Sequence, residues 1–200
     1  MTNRLHAALA RVTSDLARHR QRFALVGGVA VSVRAEPRLT RDLDLVVAVA
    51  SDAEAEAVVQ SLVAEGYGTT ALVEQEHANR LATVRLVAPA ETAKGVVVDL
   101  LFASSGIEPE IASAAETLEV FQGLLVPVAR AGHLIALKLL ARDDRSRPQD
   151  ADDLRALRRV ADAAELTRAR AAAHLIEERG FARGRNLARA FDDWLAAPAA

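Results

Sequence analysis

The chain has 200 residues, enough for one compact domain or one domain with a helical annex. It is 51% hydrophobic and 26% charged with a net charge of -2, so it can bury a core and has the balance of an ordinary soluble protein. The absence of cysteine excludes disulfides and cysteine-ligated zinc, and no run of about twenty apolar residues offers a helical membrane span. The first residues, Met1-Thr2-Asn3-Arg4-Leu5-His6, lack the apolar core of a signal peptide, and a cytoplasmic location is expected.

Leu5, Leu9, Val12 and Leu16 recur at helical spacing and predict a helix over 3–19. Residues 23–26 read as a short apolar strand ending at Gly27-Gly28. A short helix over 29–35 stops before Pro37. Residues 43–49 are rich in β-branched side chains and predict a strand. A helix over 52–65 opens at a Ser51 or Asp52 cap and closes at Gly66. Strands follow near 69–75, 81–87 and 96–102, the last after a turn from Pro89 to Gly95 in which Lys94 is expected to be solvated. A short helix near 108–115 leads to a hairpin of 117–121 and 124–128, turning at Gln122-Gly123. After Pro127 the pattern becomes helical, over 131–141, 149–160, 165–179 and 184–196, with a charged loop from Arg142 to Gln149.

A boundary is therefore expected near residue 129, between an α/β half at 1–129 and a helical half at 130–200. Acids outnumber bases in the first half and bases outnumber acids in the second. Either both halves are simply solvated, or an acidic metal-binding half lies beside a basic half that meets phosphates.

Asp42 and Asp44 stand one residue apart at the start of an apolar strand, so both carboxylates face one way. A bare pair of carboxylates repels itself, and a hard cation such as Mg²⁺ resolves the repulsion while keeping positions open for substrate phosphates. Asp-x-Asp alone is common and also fits two solvated acids at a strand mouth. Asp99 adds weight because it sits within Val96-Val97-Val98-Asp99-Leu100-Leu101-Phe102, where an unpaired charge would cost several kcal/mol. Its partner is either an arginine or a shared metal. In the second case Asp99 could also accept a proton from an attacking hydroxyl. Gly27-Gly28 lets backbone approach a ligand, and the following helix N-terminus offers N–H groups to phosphate. It is neither the lysine-containing phosphate loop nor a dinucleotide fingerprint. Lys138 is an odd charge within the apolar run His133-Leu134-Ile135-Ala136-Leu137-Lys138-Leu139-Leu140, where a snorkelling lysine is the plain alternative. The histidines are scattered, no pair has metal-ligand spacing, and His133 at a helix start reads as structural.

Together these residues resemble the polymerase-β-like nucleotidyltransferase superfamily: Gly-Gly opening a helix, Asp-x-Asp on the next strand, and one Asp on a later strand. Within it, Arg38-x-Thr40-x-Asp42-x-Asp44 looks like the AbiEii-type nucleotidyltransferase toxins of type IV toxin–antitoxin pairs. Members of that group also carry a helix lysine and an Arg-Pro-x-Asp-x-x-Asp segment, matched by Lys138 and by Arg147-Pro148-Gln149-Asp150-Ala151-Asp152-Asp153-Leu154. The resemblance spans about residues 22–155. It implies an α+β fold, a mixed β-sheet flanked by helices and followed by a C-terminal helical bundle. It implies Mg²⁺ on Asp42, Asp44 and Asp99, and an NTP on Gly27, Gly28, Arg38, Thr40 and Lys138, with Arg142 one turn further on the lysine's face. Asp42, Asp44, Asp99, Lys138 and Asp150 then form the catalytic set. Asp150 orients the lysine or an acceptor, whereas Asp153 reads equally as a helix cap.

The activity implied is transfer of a nucleoside monophosphate to a hydroxyl with release of pyrophosphate. The resemblance points to the 3′ acceptor end of tRNA, to growth arrest, and to a cognate antitoxin. Arg142, Arg145, Arg158 and Arg159 would meet the RNA backbone. The acidic first half keeps open a small polycationic acceptor of the aminoglycoside kind, or a protein acceptor. A non-catalytic nucleotide-binding module is the reading from another class.

Overall fold

The computed structural model describes residues 2–75, 80–89, 95–142 and 148–198. The expected turn at Lys94, together with Arg145 and Arg147, lies outside them. Among the described residues the elements alternate early and turn helical late. Helix α1 spans Thr2–Arg18, β1 Arg22–Val26, α2 Gly27–Arg34, β2 Asp42–Ala48 and α3 Asp52–Ala64. Strands β3 (Gly68–Gln75), β4 (Arg80–Val87) and β5 (Val97–Leu101) follow, then α4 at Glu108–Ala114. The hairpin is β6 (Glu116–Phe121) and β7 (Leu124–Val128). Four helices follow among the described residues: α5 Ala131–Ala141, α6 Pro148–Val160, α7 Ala163–Glu178 and α8 Leu187–Ala196.

Among the described residues the strands form one seven-stranded sheet in the order β3-β4-β5-β2-β1-β7-β6. It is mixed: β2/β5 and β1/β7 are parallel and the other neighbours antiparallel. This is the mixed α+β architecture expected from the sequence. β2 lies between β1 and β5, and Leu43, Leu45, Val46 and Val47 are fully buried. On α1 the predicted stripe is the buried one, with Leu9, Val12 and Leu16 wholly inaccessible as it packs on β1, β2 and β7. Ser51 caps α3 by accepting from the Glu54 N–H at 3.3 Å, Asp162 caps α7 and Asn186 caps α8. Arg34 ties the end of α2 to the sheet, donating to the carbonyls of Ala129 at 2.7 Å and Val128 at 3.1 Å.

Helix α5 is buried nearly all round, which identifies it as an interior helix. It packs against α6, α7, α8 and α2, so one apolar cluster runs from the sheet through the C-terminal helices. No helix among the described residues is long and apolar enough to cross a membrane.

Candidate active site

β1 delivers the chain to Gly27, whose φ of +66° turns the backbone directly into α2. The helix thus begins at the glycine pair itself, two residues earlier than the sequence pattern suggests. In the β1/β2 ladder Val26 pairs with Asp44, which brings the Asp44 side chain over the turn. A Cβ on Gly27 would stand 1.9 Å from Asp44 Oδ2. A Cβ on Gly28 would stand 2.5 Å from an Arg38 guanidinium nitrogen and 3.1 Å from the Thr40 hydroxyl. Among the described residues no side chain caps α2, so the first turn of the helix keeps N–H donors that an anion could use.

The parallel β2/β5 pair sets Asp42 opposite Val97 and Asp44 opposite Asp99. Because side chains alternate, Asp42, Asp44 and Asp99 share one face of the sheet. Asp99 is buried, and its partner is Arg85 of β4, which grips both carboxylate oxygens at 2.8 and 2.7 Å. The Arg85 pKa is raised, first by the hydrogen bonds and charge of Asp99 and then by Asp42 and Asp44, which also face it.

The opposite wall comes from α5 and α6. Lys138 Nζ lies 2.7 Å from Asp150 Oδ1 and 2.7 Å from Asp153 Oδ2. Arg38 Nη2 donates to Asp153 Oδ2 at 3.0 Å, and its Nε lies 2.7 Å from Oδ1 but off the line of a hydrogen bond. The result is a continuous chain of charges, Arg38–Asp153–Lys138–Asp150, in which both acids are almost wholly buried. Asp153 sits well inside α6 and bridges two cations, so it is no helix cap.

These groups line a cleft of about 550 Å³, within the usual size of ligand sites. Gly27, Gly28, Arg38, Thr40, Asp42, Asp44, Asp99, Lys138 and Asp150 all line it. Arg142 does not: α5 ends at Ala141, and Arg142 lines a neighbouring groove with Arg155, Arg158, Arg159 and Arg185. Three further cationic residues line the cleft and carry no clear signal in the sequence: Arg41, Arg85 and Arg183. Arg85 stands between Val84 and Leu86 and reads there as an ordinary solvent-facing strand residue. Arg183 reaches in from the loop after α7 with φ +54° and donates to the Ser104 carbonyl at 3.0 Å.

Among the described residues no three His, Asp or Glu side chains stand close enough together to ligate an ion as they are. The donor set is nevertheless all carboxylate oxygen, which suits a hard divalent cation. A cationic group already sits at Asp99 in the form of Arg85. His133 is buried on α5 outside the cleft; burial pushes its pKa down to about 4.

The sheet order, the glycine turn and the in-register acids are those of a nucleotidyltransferase fold. An antigenic nucleotidyltransferase-like protein from Paracoccidioides brasiliensis has this architecture, with a TM-score of 0.52 and 19% identity over 92% of this chain and 89% of its own. The chain belongs to the nucleotidyl transferase AbiEii toxin family of type IV toxin–antitoxin systems, whose family model matches residues 8–198. It is accordingly a nucleotidyltransferase. The nucleotidyltransferase toxin MenT4 of Mycobacterium tuberculosis is 18% identical over 94% of this chain and 93% of its own, with a TM-score of 0.36. The lincosamide antibiotic adenylyltransferase LnuA, solved with lincomycin bound, is 15% identical over 77% of this chain and 96% of its own, with a TM-score of 0.49. No curated protein matches the sequence.

Proposed function

We propose that the protein transfers a nucleoside monophosphate from an NTP to a hydroxyl, most simply at the 3′ acceptor end of tRNA, as the growth-arresting partner of an antitoxin in the cytoplasm. The observation that carries the reading is the placement of Asp44 beside Asp99 across parallel strands, with Asp42 on the same face and the Gly27 turn under Asp44. Asp42, Asp44 and Asp99 would hold Mg²⁺, which when bound neutralises phosphate charge and favours the ionised form of an attacking hydroxyl.

The chain's own residues supply the rest. The N–H groups at the start of α2 face phosphate oxygens. Lys138 meets the charge that grows on the leaving pyrophosphate, and Asp150 and Asp153 hold its ammonium in place. Arg38, fixed by Asp153, holds the Nη2 side of its guanidinium over Gly28, beside the path of the nucleotide phosphates. The acceptor oxygen bonds to the α-phosphorus as the bond to the bridging oxygen breaks, and the hydroxyl proton leaves to a carboxylate of the cluster or to water. The groove of arginines beside the cleft offers a surface for an RNA backbone.

The test is incubation with Mg²⁺, each α-labelled NTP in turn, and total tRNA, resolved on a denaturing gel. One NTP is expected to label tRNA. Asp42→Ala and Asp44→Ala are each expected to lower transfer by at least about a hundredfold without unfolding the protein. Full activity in either variant would refute the mechanism. Intact NTP binding with no labelled RNA would move the acceptor to a small molecule or a protein.

A further inference from the structure

Arg85 projects from β4 into the cleft directly across from Asp99 in the antiparallel β4/β5 pair. Nε donates to Oδ1 and Nη2 to Oδ2, so both oxygens of the buried carboxylate are engaged by one planar fork. Asp44 is the next residue over on β2, in register with Asp99, and Asp42 lies two positions along the same face. The guanidinium thus stands where the fields of three carboxylates add. The two partners differ in freedom. The Asp99 side chain is 11% exposed on a central strand, whereas that of Arg85 is 48% exposed on a long flexible stem.

We propose that Arg85 is the resting counter-ion of the carboxylate cluster: it holds Asp99 while no divalent cation is bound and releases it when a cation enters, turning its fork to the incoming phosphates. The proposal rests on the reading of the cluster as a cation site. A divalent ion and a guanidinium a few ångströms apart repel strongly and compete for the same two oxygens. Asp99 cannot move, so the arginine must. Three consequences follow from that exchange. The cation-free protein is spared the mutual repulsion of three acids. Cation binding alone is weakened by the competition. A nucleotide triphosphate strengthens it, because its oxygens give the displaced fork a new bidentate partner. Cation and nucleotide therefore load as a coupled pair, and Arg85 acts as a positioning residue for that coupling.

Calorimetric titration of the full chain with Mg²⁺, alone and with a non-hydrolysable NTP analogue, tests this without reference to turnover. Arg85→Met is expected to bind Mg²⁺ alone about tenfold more tightly than the wild type, the size of one charge-assisted contact removed. The added benefit of the nucleotide should shrink in that variant. Its cation-free form should melt at lower temperature than the wild type, and Mg²⁺ should restore the loss. Arg85→Lys keeps the charge but not the fork and should fall between the two. If Arg85→Met does not fold, the lysine variant carries the comparison with the same sign. Equal or weaker Mg²⁺ affinity in the variants, with the wild type binding normally, overturns the proposal alone. If neither wild type nor variant binds Mg²⁺ and Asp44→Asn changes nothing, the cation reading of the cluster falls as well.

Discussion

Gly27 carries two constraints at once. Its φ of +66° lies in the left-handed region, and the space a Cβ would fill belongs to the Asp44 carboxylate. Gly27→Ala is therefore expected to cost at least about 1–2 kcal/mol from the backbone alone. It should also displace Asp44 and so remove transfer activity, a joint loss that a denaturant midpoint and a labelling assay read separately. His133 makes a pH-dependent contribution of the opposite kind. Its folded pKa is depressed to about 4, chiefly by burial and next by the charge of Arg168. Above pH 6.5 it is neutral folded and unfolded alike, so it contributes nothing. Between about 6.5 and 4 the unfolded chain takes the proton and the folded one does not, so stability falls as pH falls, by up to roughly 3 kcal/mol. Comparing denaturant midpoints at pH 7.5 and 5 should show a smaller drop for His133→Leu than for the wild type.

At the scale of elements, the chain of charges between the 36–41 segment, α5 and α6 is what holds the cleft's far wall. Asp153 bridges Arg38 and Lys138, and Asp153→Asn should leave both cations undercompensated, costing about 3–5 kcal/mol. The double variant Asp153→Asn with Lys138→Met should lose less than the sum, since one of the stranded charges is gone; urea unfolding of the four proteins measures the coupling. Helix α1 was readable from its own periodicity, and α3 from its Ser51 cap and closing Gly66. Asp42, Asp44 and Asp99 were readable because acids in apolar strands demand a reason. The i, i+3 spacing of Asp150 and Asp153 placed both on one helix face, yet nothing local to α6 says that Arg38, 115 positions earlier, closes on Asp153. Arg85 was invisible for a similar cause: its role depends on the β4/β5 register, and an alternating strand with an arginine on one face reads as ordinary. The bond from the Tyr67 hydroxyl to the buried Asp15 at 3.0 Å is likewise non-local, although the Arg11–Asp15 pair beside it is one helical turn apart.

Across the whole molecule, the division expected near residue 129 is a proposal about folding units. One apolar cluster spans both sides of that position, and α2 packs on α5 and α6. Calorimetry is therefore expected to show a single transition with matching calorimetric and van't Hoff enthalpies, whereas two separable transitions would support independent halves. The parallel pairing of β2 with β5 has one more consequence, which concerns the order in which the chain is made. Asp44 has no Asp99 beside it until β5 has left the ribosome, and Lys138 has neither of its anchors until Asp150 and Asp153 follow. At about 5–20 residues per second, the nascent chain spends seconds between Asp44 and Asp153 without a complete cleft. A chain that stops short of α6 lacks the far wall of the cleft, and such a fragment is expected to bind no nucleotide.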